Sequence, residues 1–215
     1  MAIQRVHLVR HGEVENPNGL LYERLPGFGL SERGRRMARM AAEDLAARAV
    51  PAGRLVVSPL ERTRESAAPI AELLGLEPDF DERVIEPWNR FAGQRLGGRD
   101  SALRRPASWR HLGNPLRPSW GEPYAEIVAR MKAAILDWTA AAEGSDVIVV
   151  THQLPIWMVH RRLRGAPLVH NPKDRRCALS SITTLEHHPA TGFAEVDYRE
   201  PAASELAAAV DQGAV

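Results

Sequence analysis

Apolar and polar positions along the chain follow two alternating periods. Five short runs rich in β-branched residues, 3 to 9 (IQRVHLV), 54 to 58 (RLVVS), 146 to 151 (DVIVVT), 180 to 187 (SSITTLEH) and 193 to 199 (FAEVDYR), are bounded by glycine, proline or polar residues and predict strands. Between them the period lengthens to that of a helix. Ser31 is placed to N-cap a helix reaching about Ala49, with Met37, Met40, Ala41 and Leu45 on one face. Pro123 opens another, in which Tyr124, Ile127, Met131, Ile135 and Trp138 recur at helical spacing as core residues, and further helices follow Pro59 and Leu154. Strands alternating with helices predict an α/β fold, a three-layer α/β/α arrangement around a mainly parallel central sheet. Ligands of such sheets sit beyond the carboxyl ends of the strands.

Two segments break the alternation. Residues 88 to 121 carry Trp88, Trp109 and Trp120 among seven arginines with several Gly and Pro, and read as a cap-like insertion in a single domain spanning 1–200. The alanine-rich tail 201–215 reads as frayed and flexible or as a loosely docked helix.

Composition narrows the function classes. At 215 residues and 44% hydrophobic content the chain can bury a substantial core, and no apolar run approaches the roughly 20 residues that span a bilayer. The N-terminus MAIQRV lacks the apolar region of a secretion signal, so a cytoplasmic location is the default, with no membrane partner. The lone Cys177 cannot form an internal disulfide. A formal net charge of only +1 gives no global field for nucleic acid, so any anion specificity must be local.

That local charge gathers at strand ends. "VHLVRHGE" leaves Arg10 and His11 where the first hydrophobic run stops; "RLVVSPLERT" puts Arg62 on the first turn of a helix; "DVIVVTHQLP" puts His152 at a helix start. If these three strands are parallel neighbours, Arg10, His11, Arg62 and His152 converge on one sheet edge as a small cationic pocket. Such a pocket suits a phosphoryl group, since guanidiniums bind its oxygens bidentately and helix N-termini add oriented donors. Neighbouring positive charge also disfavours protonation of His11, leaving a neutral imidazole able to attack phosphorus.

"LVRHGE", "SPLERT" and "VVTHQ", in this order, resemble the histidine phosphatase superfamily with its phosphoglycerate mutase-like fold, over about residues 3 to 199, and "LSERGRRMA" resembles that family's first helix. The resemblance implies a cytoplasmic, metal-independent phosphatase that hydrolyses a small phosphomonoester through a phosphohistidine on His11, with no cofactor. Arg10, Arg62 and His152 would form the phosphate clamp, Gly12 would let the backbone approach the phosphate, and Asn16 would touch phosphate or substrate. The family's carboxylate acid maps best to Glu86 in "ERVIEPWNRFAG", with Glu82 and Glu13 as rivals because "PWNRFAG" matches the family pattern only loosely.

Other readings stand beside these. Glu86 before Pro-Trp can simply pair with a cap arginine, Glu13 can orient its loop, and Asn16-Pro17 is an ordinary turn signal. His7 reads as a satisfied interior histidine, and His160, His170, His187 and His188 lack convergent metal-ligand spacing. The cap arginines, Arg104 and Arg105 among them, suit the non-transferred part of an anionic substrate better than nucleic-acid bases, or form a solvated face. The rival functions are a phosphomutase and a noncatalytic phosphate-binding module. Substrate identity and oligomeric state, a homo-oligomer included, stay open.

Overall fold

The structure is a computed structural model and describes residues 4–95, 120–188 and 190–211. Among these, six strands form one sheet: β1 (Gln4–Arg10), β2 (Ala52–Val57), β3 (Pro78–Phe80), β4 (Asp146–Thr151), β5 (Ile182–His188) and β6 (Gly192–Arg199), in the spatial order β3-β2-β4-β1-β5-β6. The first four in that order run parallel, with Val6 opposite Val147 and Leu55 opposite Ile148, while β5 and β6 continue the sheet antiparallel. The predicted parallel neighbours β2, β4 and β1 are therefore contiguous, and their carboxyl ends share one edge.

Strand alternation separates two apolar layers. Val6, Leu8, Val147 and Val149 face α3 (Tyr124–Ala141) and α4 (Gln153–Leu163), meeting Ile127, Met131, Ile135, Ile156 and Met158. Val9, Leu55, Val57, Ile148 and Val150 face α1 (Glu32–Ala47) and α2 (Glu61–Leu74), meeting Ala41, Leu45, Ala67 and Ile70. The three-layer arrangement follows directly from these two faces. Ser31 caps α1 as its sequence suggests, its side chain accepting the Gly34 N–H. His7 is buried and partnered, its ring nitrogens 3.0 Å from Thr184 Oγ1 and 3.3 Å from Asp146 Oδ2.

Strand β3 has no counterpart in the sequence reading. It is three residues long and opens on Pro78, which is tolerated because the strand lies at the sheet edge. The two described ends of the cap-like insertion meet: Asn89 bridges Gly121, and Leu21, Phe91 and Trp120 form a small apolar cluster. Trp109, Arg99, Arg104, Arg105, Arg110 and Arg117 lie outside the described residues, as do 212–215. Within the tail, a single helical turn, α5 (Ala203–Leu206), packs Leu206 and Ala209 with Met37 and Leu179. No helix among the described residues is long and apolar enough to cross a membrane.

Candidate active site

Each strand of the parallel set delivers one part of the site from its carboxyl end. The Arg10 N–H donates to the Ser181 carbonyl at 3.0 Å and the His11 N–H to the Thr151 carbonyl at 3.1 Å, extending β1 against both neighbours. Beyond β2, Arg62 lies in the first turn of α2; beyond β4, His152 is the N-cap of α4. Neither helix start has a side-chain cap. Arg10, His11, Arg62 and His152 are all 2% exposed or less, a degree of burial rare for arginine.

Their hydrogen bonds define what is missing. Nδ1 of His11 is 2.8 Å from the Gly12 carbonyl, which can only accept. The proton therefore sits on Nδ1, and Nε2 carries the lone pair. Burial, then the charges of Arg62 and Arg10, hold the His11 imidazolium well below its ordinary range, so the ring is neutral. His152 is held down in the same way by burial and then by Arg62 and His11. Its ring lies 5.3 Å from that of His11, and its Nε2 is 2.7 Å from Ser58 Oγ, at the end of β2. Three buried polar atoms at the site have no hydrogen-bond partner: Nε of Arg10, Nε of Arg62 and Nδ1 of His152. Two of these can only donate; the third donates in the tautomer in which Nε2 of His152 accepts from the Ser58 hydroxyl.

Glu86 joins this cluster from an irregular segment. Three side chains pin the segment: Thr151 Oγ1 donates to the Val84 carbonyl at 2.5 Å, Arg130 to that of Arg83 at 2.7 Å and Arg24 to that of Glu86 at 2.6 Å. Glu86 Oε2 thereby lies 3.3 Å from Nδ1 of His152, with 14% of the side chain exposed. Burial pushes its carboxyl upward, opposed by Arg62 and Arg10. A carboxyl biased toward its protonated form beside a cationic pocket fits a proton donor. Its rivals are placed elsewhere. Glu82 is exposed, and Glu13 is occupied, accepting from Ser31 Oγ at 2.5 Å, from the Val210 N–H at 2.7 Å and from Arg33 at 3.2 Å.

Two expected contacts take other roles. The amide of Asn16 closes its own turn, donating to the Leu20 carbonyl at 2.8 Å and accepting the Leu20 N–H at 3.1 Å, which fits the turn reading. Gly12 donates its N–H to Ser66 Oγ at 3.1 Å, and the close approach that needs a glycine there is to α1: a Cβ would lie 2.3 Å from the Gly34 carbonyl oxygen. A glycine at 12 is thus required by the packing of this loop on α1.

Several site residues escape the sequence reading. Tyr22 underlies Arg62, whose guanidinium carbon is 4.8 Å from the ring centroid. Glu23 is buried with φ +38°, its carbonyl accepts from Arg62 at 2.7 Å, and burial and then the Glu86 charge push its carboxyl well up. A non-glycine residue held in the left-handed region beside a site is backbone strain retained by its surroundings. Glu23 also lines, with Pro87, Trp88, Trp120, Glu122 and Tyr124, a small void of about 20 Å³. Arg175 donates to His170 Nε2 at 2.8 Å and to Gln153 at 3.3 Å. Only the strand-end position of Ser58 offered a signal in the sequence; the others sit in loops where no periodicity applies.

His11, Glu86 and His152 each offer a ligand atom within 4.8 Å of the others, a donor set able to hold a divalent cation. The surrounding charge argues otherwise. Two buried guanidiniums with unpartnered N–H groups call for acceptor atoms, and a cation would be repelled by both.

Comparison with known proteins agrees with this architecture. The family model of the histidine phosphatase superfamily, branch 1, matches residues 6–197. A Mycobacterium tuberculosis (strain ATCC 25618 / H37Rv) protein, "Uncharacterized protein Rv0525", is 46% identical over 199 residues, covering 93% of this chain and 97% of its own. Phosphoserine phosphatase 1 of Hydrogenobacter thermophilus is 30% identical over 167 residues, covering 75% and 76%. Among solved structures, the mycobacterial glucosyl-3-phosphoglycerate phosphatase Rv2419c superposes with a TM-score of 0.71 at 24% identity, covering 92% of this chain and 96% of its own, which is a likeness of fold. With its histidines and arginines gathered at the carboxyl edge of a matching sheet, the chain belongs to the histidine phosphatase superfamily, branch 1.

Proposed function

We propose that the protein is a phosphomonoester hydrolase that works through a phosphohistidine on His11 and needs no metal. The observation that carries this reading is the fixed tautomer of His11. Its Nδ1–H is committed to the Gly12 carbonyl, so Nε2 presents a lone pair in a pocket whose other buried donors lack partners. In the first step Nε2 attacks phosphorus in line as the bond to the leaving oxygen breaks, and Glu86 passes its proton to that oxygen. Arg10, Arg62 and Nδ1 of His152 hold the three transferring oxygens, on which charge accumulates. In the second step the Glu86 carboxylate takes a proton from water as the water oxygen attacks phosphorus. The P–N bond breaks, inorganic phosphate leaves, and His11 returns neutral.

The phosphoserine phosphatase and the glucosyl-3-phosphoglycerate phosphatase support hydrolysis of small phosphorylated metabolites as the class of reaction. Rapid quenching with labelled substrate tests the mechanism: the wild type should yield an acid-labile, base-stable phosphoenzyme that His11→Ala lacks, while retaining the fold. Full turnover by that variant would end the mechanism. Transfer of label to a second hydroxyl in preference to water would make the protein a mutase.

A further inference from the structure

Arg10 has two donor faces, and only one is free. On its end-on face, Nη1 donates to Asp211 Oδ2 at 2.8 Å and Nη2 to Asp211 Oδ1 at 2.5 Å, while Nη1 also donates to the Cys177 carbonyl at 2.7 Å. On its side face Nε is buried without a partner. A carboxylate and a carbonyl thus grip one fork of the guanidinium and leave the other, Nε with the second proton of Nη2, for a ligand.

The segment that brings Asp211 is anchored at several points. Leu206 and Ala209 pack against Met37 and Leu179, Glu205 pairs with Arg36 at 3.1 Å, and the Val210 N–H donates to Glu13 Oε1 at 2.7 Å. Glu13 also accepts from Ser31, the cap of α1, so the tail, the catalytic loop and α1 share one carboxylate.

We propose that Asp211 is the positioning residue of the phosphate clamp: by holding the end-on fork of Arg10 it aims the side fork at the phosphoryl oxygens. The proposal rests on the phosphatase reading above and adds a residue from the C-terminal segment to the site. Asp211 also supplies negative charge where two buried guanidiniums would otherwise face each other uncompensated, leaving Arg62 to the incoming anion. Burial by itself would loosen the Arg10 proton, but the Asp211 carboxylate outweighs it and the guanidinium is held charged more firmly than usual.

The test is vanadate and inorganic phosphate binding by calorimetry, together with KM and kcat, for the wild type, Asp211→Asn and Asp211→Ala, each also in an Arg10→Lys background. Loss of an outer-shell carboxylate that orients a binding group typically costs about 10- to 100-fold. Asp211→Asn should therefore weaken both anions and raise KM by about tenfold or more, with a smaller change in kcat. Lysine has no second fork to aim, so in the Arg10→Lys background the same change should cost less than about twofold. A tail that merely stabilises the fold would give equal losses in both backgrounds, which would overturn the proposal. Tighter anion binding by Asp211→Ala would overturn it too, because the carboxylate would then be a competitor occupying the phosphate position. Unchanged binding has the same consequence. If the wild type binds neither anion, the phosphatase reading itself falls and takes this one with it.

Discussion

Replacing Gly12 by alanine should damage catalysis through packing, without touching a reacting group. The new Cβ would lie 2.3 Å from the Gly34 carbonyl oxygen and 3.0 Å from the Gly34 Cα, where ordinary contact begins near 3.4 Å. A gap of about 1 Å must therefore open between the catalytic loop and the first turn of α1. Both sides are backbone, and Gly34 is tied to Ser31 by the helix cap, so no side chain can swing aside. Overpacking of this kind costs about 1–3 kcal/mol, and for a chain of this size each kcal/mol lowers Tm by roughly 2–4 °C. If the loop yields, His11 moves with its neighbour, and a displacement of about 1 Å at a reacting group costs on the order of 10²-fold in rate. The assay is kcat on an aryl phosphate beside a thermal melt. Gly53→Ala is the control: its Cβ would meet the Ser145 side chain at 2.7 Å, near the start of β2 and away from the site, so it should lower Tm and spare kcat. If Gly12→Ala melts early but turns over at the wild-type rate, the loop-to-helix seam does not position the nucleophile, and the argument fails.

Three further outcomes are expected. Glu86→Gln should slow hydrolysis of alkyl phosphates by about 10²- to 10⁴-fold while affecting phosphorylation by an activated aryl phosphate much less, because only the former needs its leaving oxygen protonated; equal losses would move the acid elsewhere. Since His11 and His152 are held neutral in the fold, the unfolded chain takes up protons first as pH falls, so stability should be intact above the ordinary imidazole value of about 6.5 and decline below it. Denaturant titrations between pH 8 and 5 should show a shallower decline for His152→Gln, and an identical slope would remove these rings from the account. Activity should survive EDTA, and vanadate should inhibit competitively; loss to chelator restored by a divalent ion would assign the His11, Glu86 and His152 cluster to a metal.

What could be read from the sequence was whatever repeats at the scale of a strand. Arg10, His11 and His152 lie at the ends of β-branched runs and Arg62 one helical turn beyond another, so once those runs prove to be parallel neighbours the four come together. Glu86 was singled out by its match to the family's acid position; that it lies at the cluster while Glu82 and Glu13 do not depends on three long-range hydrogen bonds to the 83–86 backbone and on the occupation of Glu13 by Ser31, Val210 and Arg33. Glu23 and Asp211 lie in a loop and a tail, where a residue's neighbours are set by tertiary packing alone. Strand β3 is too short, and begins with too unfavourable a residue, to leave a periodic trace.

The order of the sheet also dictates how the protein can fold. Its central seam pairs β1 with β4, Val6 against Val147, and β2 enters the sheet only along β4. Both pairings close long stretches of chain, so the loop-closure entropy is spent before the contacts that offset it exist. Folding should be slow and strongly cooperative, and no fragment ending before β4 can join the histidine of one strand end to the arginine and histidine of the others. On the proposed function, phosphate and vanadate should bind the completed sheet alone and raise its melting temperature in proportion to the logarithm of their concentration, leaving any partly folded intermediate unaffected. Anion-dependent stabilisation would thus date the joining of β4 to β1 during refolding.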